Sequence, residues 1–124
     1  MSRDTRIENA VISATRLGIE DHGIFTAWVT IKGDGWGVSF GGYAFDQWSE
    51  VRGRRVGADY GIEFIAQLMA AVGVECWEKL PGTHVRAETE GAGGRCLRIG
   101  HILKNQWFDP EKLARDMNEQ AVSR

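Results

Sequence analysis

Residues 23–33 read GIFTAWVTIKG, and the alternation of apolar and polar side chains in this stretch decides the fold. Alternation with a period of two is typical of a β-strand that has one buried face. One face of the strand would carry Phe25, Ala27, Val29 and Ile31, and the other Thr26, Trp28, Thr30 and Lys32. The Gly33-Asp34-Gly35 triplet that follows is typical of a tight hairpin turn. The stretch therefore predicts an antiparallel sheet.

The segments on either side of this strand extend the sheet. Residues 6–19, RIENAVISATRLGI, are rich in β-branched side chains and predict a first strand. Residues 36–45 predict a third strand, so the first half of the chain forms a three-strand meander. Residues 46–57, DQWSEVRGRRVG, are polar throughout and are predicted to form a loop.

The second half of the chain changes to a helical period. Residues 58–73, ADYGIEFIAQLMAAVG, predict a central helix that ends at Gly73. This helix is apolar on two sides, so we expect its Phe64 and Leu68 face either to lie in a core or to meet a partner. Residues 83–90 and 95–103 predict a second hairpin, and Asp109 with Pro110 predicts the start of an exposed C-terminal helix. The predicted fold class is α+β, with residues 1–124 forming a single domain.

The composition excludes several classes of function. The chain is 43% apolar and 26% charged, and it contains no apolar run approaching the roughly 20 residues of a membrane span. The N-terminus is too polar for a secretion signal. Cys76 and Cys96 form no CxxC motif, which favours reduced thiols and a cytoplasmic location. A net charge of -2 argues against binding to a nucleic-acid polymer.

No catalytic or metal-binding motif is present in the sequence. The phosphate-binding and nucleophile patterns GxxxxGK[ST], GxGxxG and GxSxG are all missing. The Glu20-Asp21-His22 cluster is the best acid–base candidate, because a carboxylate beside an imidazole can transfer protons. The same residues also suit a polar hairpin turn. We therefore predict no catalytic residue, no metal site and no cofactor.

The Phe40-Gly41-Gly42-Tyr43 step has two interpretations. Paired glycines weaken a strand, so they either form a β-bulge or leave bare backbone for a ligand to approach. Aromatic rings beside bare backbone, followed by arginines, suit a phosphorylated ligand with a planar base. On the second interpretation, the ligand-binding residues are Phe40, Gly41, Gly42, Tyr43, Asp46, Arg55, Arg98, Asn105 and Trp107. A bulky residue at position 42 would then abolish binding and leave the fold intact, whereas unfolding would favour the bulge.

Four blocks of sequence resemble the small phage proteins of the first Thoeris anti-defence family. They are EDHGI at 20–24, FGGYAFD at 40–46, VGVECWEKLPG at 72–82 and IGHILKNQWFDP at 99–110. The resemblance extends over residues 6–112. It implies an oligomeric, noncatalytic protein, a dimer or a hexamer, that binds a cyclic ADP-ribose isomer between subunits in the cytoplasm of the infected bacterium. In some members, cyclic di- or trinucleotides bind at separate sites, which would extend inhibition to CBASS-type signalling.

Two other functions stay open at this stage. The first is an enzyme that cleaves such a nucleotide, using His22 with Asp21 or His101. The second is a protein-binding module that docks through the Phe64–Leu68 face and takes no small ligand.

Overall fold

The computed structural model describes residues 4–91 and 94–122, and the side chains among these as far as residue 118. Ala92 and Gly93, in the predicted second hairpin turn, lie outside the described residues. The elements are β1 (Arg6–Ile19), β2 (Phe25–Gly33), β3 (Trp36–Gly41), β4 (Asp46–Ser49), β5 (Arg54–Gly57), α1 (Asp59–Val72), β6 (His84–Thr89), β7 (Cys96–His101), β8 (Trp107–Phe108) and α2 (Pro110–Val122). The α+β class is confirmed.

The main sheet has the strand order β3-β2-β1-β6-β7-β8, and each neighbouring pair is antiparallel. The meander β1-β2-β3 and the hairpin β6-β7 are both as predicted, and pairing of β1 with β6 joins them. The alternation in β2 is confirmed from Ala27 onward, because Ala27, Val29 and Ile31 are almost completely buried. At the start of the strand it does not hold, since Phe25 is exposed and Thr26 is buried. The side chains of Ala27, Val29 and Ile31 define the inner face of the sheet.

Two predictions about residues 36–57 are wrong. The third strand ends at Gly41 and does not continue to Phe45, because Gly41 and Gly42 have positive φ angles and turn the chain out of the ladder. The polar loop is a second sheet, in which β4 pairs with β5. Both faces of this hairpin are largely exposed, so the sequence shows no apolar alternation that would indicate strands.

The core lies between α1 and the inner face of the main sheet. Phe64 is fully buried, with its ring centroid 4.8 Å from that of Phe108 and 5.0 Å from that of Phe45. Phe40 on β3 and Phe108 on β8 have centroids 6.2 Å apart, although their strands are at opposite ends of the sheet order. The sheet is therefore strongly curved and brings its two edge strands together.

This packing rules out the Phe64–Leu68 face as a docking surface. Phe64 and Leu68 both have 0% of their surface exposed. The face of α1 that contains them is part of the core and cannot dock a partner protein without unfolding. The large apolar side chain that α1 exposes is Ile62, at 69%.

Both helix boundaries follow the predicted signals. Gly73 has a φ of 86° and donates its N–H to the Met69 carbonyl at 2.9 Å, which closes α1. The Asp109 carboxylate accepts the amides of Glu111 and Lys112 at 3.0 and 3.2 Å, and so caps α2. Within the described ranges, neither helix is long and apolar enough to cross a membrane.

Candidate functional site

The predicted ligand-binding residues fall into two groups. The first group surrounds the β3–β4 turn, which we define as residues 41–46, and the second lies at the β7–β8 edge of the sheet. Phe40 belongs to the first group by sequence, but its ring is only 2% exposed and packs on Phe64 and Phe108. A stacking surface for a ligand is therefore not available at Phe40 in this arrangement.

The two glycines of the β3–β4 turn are required by the chain's own packing. Gly41 has a φ of 118°, and a Cβ atom there would overlap the carbonyl oxygen of Ala27. Gly42 has a φ of 82°, and a Cβ atom there would overlap the Trp28 ring. The Gly42 amide donates to the Ala27 carbonyl at 2.8 Å. This geometry favours the bulge interpretation, although Gly42 remains exposed at the surface.

Tyr43 connects the β3–β4 turn to α1 and to Arg95, which precedes β7. Its half-buried ring packs on Tyr60 and Phe64, with centroid distances of 6.2 and 6.1 Å. Its hydroxyl oxygen accepts a long hydrogen bond of 3.4 Å from Arg95, which also forms an ion pair with Glu111 at 2.8 Å. Burial raises the pKa of Tyr60, so its hydroxyl stays protonated and donates to the Pro110 carbonyl at 3.1 Å.

Asp46 and Arg55 bind each other across the β4-β5 hairpin. Their side chains form an ion pair of 2.8 Å, and the Arg55 guanidinium also donates to the Asp46 carbonyl at 3.0 Å. The second carboxylate oxygen of Asp46 accepts the Phe25 amide at 3.1 Å. The hydrogen bond from Arg55 lowers the pKa of Asp46. The charge of Arg55 is therefore compensated within the β4-β5 hairpin, by a carboxylate that the Phe25 amide also binds.

We expect this pair to make stability depend on pH. Because the folded-state pKa of Asp46 lies below its ordinary value of 3.8, the stabilisation is complete above that value and is lost as the pH falls through the folded pKa. Asp46→Asn should therefore destabilise the protein at pH 7, with a smaller difference from wild type at pH 3. Urea unfolding at both pH values measures this. Asp34→Asn, in the exposed β2–β3 turn, is the control, and a pH-independent effect of Asp46→Asn would contradict the prediction.

The second group, which we call the β7–β8 cluster, brings Arg98, Asn105 and Trp107 together. Trp107 pairs with Gly100, and its indole lies so close that a Cβ atom on Gly100 would approach the ring to 2.6 Å. The guanidinium carbon of Arg98 is 4.2 Å from the ring centroid. The indole N–H donates to the Asn105 side-chain oxygen at 3.2 Å. Three of the predicted residues are therefore neighbours on one surface.

The cluster also contains Arg86, which sequence reasoning missed as a binding residue. Its guanidinium carbon is 4.9 Å from the Trp107 ring centroid, and its nitrogens donate to the carbonyls of His101 and Lys104 at 2.8 and 2.7 Å. The alternation in residues 83–90 places Arg86 on the polar face, but only the register of β6 with β7 places it beside Gly100. Through these two carbonyls, Arg86 fixes the β7–β8 loop that contains Asn105.

The charges in the β7–β8 cluster are partly balanced within the chain. Arg98 forms an ion pair with Glu88 at 2.6 Å, and this hydrogen bond lowers the pKa of Glu88. The Nδ1 atom of His101 accepts the amides of Leu103 and Lys104, each at 3.0 Å. Beside the cluster is a groove of about 240 Å³ between α1 and α2. Its lining is Gln67, Arg98, Trp107, Asp109, Lys112, Leu113 and Asp116.

This groove is small for a nucleotide. Pockets that bury small ligands usually enclose about 300–1,000 Å³. A larger depression of about 460 Å³ adjoins it between α1 and α2 and shares Gln67, Leu113 and Asp116 with it, but no predicted binding residue lines that depression. Another, of about 550 Å³, lies beside the start of β1 and also lacks a predicted binding residue. The β7–β8 cluster of one subunit is thus a cationic and aromatic surface beside two adjoining depressions.

Among the acid–base candidates, Asp21 and His22 are adjacent, but His101 does not join them within a subunit. Asp21, His22 and Gly23 form a short exposed turn at the tip of the β1-β2 hairpin, where Gly23 has the expected positive φ. His101 on β7 pairs with Val85 on β6, and Val85 pairs with Ala10 on β1, so His101 lies level with Ala10. Ala10 is nine residues along β1 from Ile19, where the strand ends beside the Asp21–Gly23 turn. At about 3.3 Å per residue, this is about 30 Å of strand. His22 and His101 are therefore too distant to cooperate in one subunit.

The cysteines and metal-binding side chains give no further site. Cys96 is buried, and burial raises its pKa to about 12, which makes its thiol unreactive. Among the residues described, no group of three or more His, Cys, Asp or Glu side chains could hold a metal ion.

Searches of family models, curated proteins and solved structures returned no match to this chain. The resemblance to the Thoeris anti-defence family therefore stays a prediction.

Proposed function

We propose that this protein binds a phosphorylated cyclic nucleotide, a cyclic ADP-ribose isomer, and holds it without changing it chemically. Sequestration of such a messenger in the cytoplasm of an infected bacterium would block Thoeris-type antiviral signalling. The observation that carries the proposal is the β7–β8 cluster, in which two guanidinium groups and a carboxamide surround one indole. The order of the four family-like sequence blocks, one of which contains Asn105 and Trp107, supports the same function.

The chemistry of the β7–β8 cluster suits a nucleotide. A guanidinium fork binds phosphate oxygens through paired hydrogen bonds, and guanidinium planes and indole rings both stack on bases. Asn105 supplies an amide that can bind the edge of a base. To capture a messenger present near 1 μM, the protein needs more than about 8 kcal/mol of binding free energy. Stacking contributes about 1–3 kcal/mol per base, so further contacts are required.

A second subunit would supply those contacts. The small size of the groove beside the cluster favours a pocket completed by another copy of the chain, in keeping with the dimeric or hexameric assembly that the resemblance implies. Arg98, Asn105 and Trp107 are the residues that we assign to the binding surface. We assign Phe40 to the core and Asp46 with Arg55 to the β4-β5 hairpin. A separate site for cyclic di- or trinucleotides would extend inhibition to CBASS-type signalling.

The test uses the purified protein and a cyclic ADP-ribose isomer. The two are incubated together, small molecules are removed by gel filtration, the protein is denatured by heat, and the supernatant is analysed by mass spectrometry. We expect to recover the intact messenger from the denatured protein. Recovery of a hydrolysed product would identify an enzyme, and no retained nucleotide would contradict nucleotide binding.

We expect Trp107→Ala to weaken binding roughly 5- to 150-fold, which corresponds to the loss of about 1–3 kcal/mol of stacking free energy. Trp48→Ala is the matched control, because Trp48 is 56% exposed on β4, away from the cluster. Isothermal titration calorimetry measures both variants, and circular dichroism checks that each is folded. Equal affinities for the two variants would remove the β7–β8 cluster from the binding surface.

A further inference from the structure

The β1-β2 hairpin has one covered edge and one open edge. β1 is 14 residues long, but β6 pairs only with Arg6 to Val11, and the last contact on that side is between Ile12 and residues 82–83. From Ser13 to Ile19, the described chain places no strand beside this edge of β1. An open edge of this length is an available template for β-pairing.

The opposite edge of the same hairpin shows that the chain covers its backbone elsewhere. Beyond the end of β3, the carbonyls of Ala27 and Phe25 accept the amides of Gly42 and Phe45 at 2.8 and 2.7 Å. The Phe25 amide donates to the Asp46 side chain at 3.1 Å. The β3–β4 turn thus satisfies the outer edge of β2. The exposed part of β1 has no equivalent segment among the described residues.

The direction of the open backbone groups follows from these hydrogen bonds. On β2, the N–H of Phe25 and the carbonyls of Phe25 and Ala27 point away from β1. Phe25 pairs in register with Ile19, and Ala27 pairs with Leu17. Both are therefore non-hydrogen-bonded pairs. In such pairs the backbone groups of both residues point outward. The N–H and C=O groups of Leu17 and Ile19 therefore point to the open edge. Because backbone direction alternates along a strand, those of Thr15 point the same way.

The same residues carry an apolar surface. Thr15, Leu17 and Ile19 lie opposite Val29, Ala27 and Phe25, so their side chains are on the inner face of the sheet. This part of the face extends beyond the core, and Leu17, Ile19 and Phe25 are 41%, 62% and 37% exposed. Backbone that no strand covers and exposed apolar side chains thus coincide on one short segment.

We propose that this edge pairs with the same edge of a second copy of the chain, antiparallel and centred on Leu17. In this register Leu17 lies opposite Leu17 of the partner subunit, and Thr15 lies opposite Ile19 of the partner subunit. The outward-pointing N–H and C=O groups of the two copies then face one another. In each of these residue pairs, both N–H groups donate to the opposite carbonyl. The apolar side chains of the two copies form one continuous strip across a twofold axis.

The charges of β1 fit this register. Arg16 lies opposite Gly18 of the partner subunit, which leaves room for its guanidinium, and diagonally from Glu20 of the partner subunit. Within one chain, Arg16 already forms an ion pair with Glu20 at 3.2 Å and donates to the Ile19 carbonyl at 3.2 Å. On pairing, the guanidinium releases that carbonyl and binds between the two carboxylates. A register centred on Arg16 would instead place two arginines face to face.

The interface needs no nucleotide, so its test is independent of the proposed function. We expect sedimentation equilibrium of the ligand-free wild-type protein to give twice the 13.8 kDa mass of one chain. Leu17→Lys should give the mass of one chain, because it places like charges opposite each other. Val51→Lys, at a position 97% exposed in the β4–β5 turn, is the control and should stay dimeric. A monomeric wild type, or a dimeric Leu17→Lys, would overturn the proposal.

Disulfide trapping tests the register without depending on a destabilising variant. In a Cys76→Ser background, Leu17→Cys should form a covalent dimer on oxidation, because paired strand residues place their Cα atoms about 5.5 Å apart, within disulfide range. Ile19→Cys should not, although Ile19 is more exposed than Leu17. In this register the two introduced thiols at position 19 are about 13 Å apart along the strand. Equal cross-linking at both positions, or none at position 17, would overturn the Leu17-centred pairing.

Discussion

Phe64→Ala is expected to lower the free energy of unfolding by about 3–5 kcal/mol, the usual cost of removing a buried aromatic ring. Phe64 is fully buried at the centre of an aromatic cluster. Its ring contacts those of Phe40, Tyr43, Phe45, Tyr60 and Phe108. Because small domains are stable by only about 5–15 kcal/mol, this loss would unfold a substantial fraction of the protein on mild heating.

Ile62→Ala is the matched control for this prediction. Ile62 is on the same helix, two positions away, and is 69% exposed. Replacement of an exposed side chain usually changes stability by less than about 0.5 kcal/mol. Urea unfolding followed by circular dichroism compares the two variants. Similar, small effects at both positions would mean that Phe64 is accessible, and would restore the Phe64–Leu68 face as a docking surface.

The fold could be predicted wherever one face of an element is buried and the other is not. Alternation in β2 and a glycine after α1 are local signals, and both were sufficient. The β4-β5 hairpin could not be predicted, because it buries neither face and is held by the ion pair of Asp46 with Arg55. For α1, apolar residues on two sides were compatible with a core or an interface, and only the sheet curvature decides between them.

The candidate site was predictable to the extent that its parts are close in sequence. Arg98, Asn105 and Trp107 lie on one strand, its loop and the next strand, so a short hairpin brings them together. Arg86 reaches the same indole only through the register of β6 with β7. Phe40 was misplaced because the alternation of β3 does not indicate which face of an edge strand is buried. The curved sheet turns that face toward Phe64 and Phe108.

Gly41→Ala is expected to destabilise the protein by about 2–6 kcal/mol, which combines backbone strain at positive φ with overlap against a neighbouring atom. At a φ of 118°, an L side chain is strongly disfavoured. The overlapping atom is the carbonyl oxygen of Ala27, which belongs to the β2 backbone and cannot rotate away as a side chain could. The strained contact would also disturb the Gly42 to Ala27 hydrogen bond.

Gly35→Ala separates the two contributions. Gly35 also has a positive φ, of 78°, but a Cβ atom there would meet no other atom within 4 Å. It should therefore cost only the backbone term, about 1–2 kcal/mol. Thermal unfolding of both variants, with messenger binding measured on the folded fraction, distinguishes the two reasons for the glycine pair. If Gly41→Ala is as stable as Gly35→Ala yet fails to bind, the bare backbone serves a ligand. If it is much less stable and its folded fraction binds normally, the glycines serve the chain's own turn onto β2.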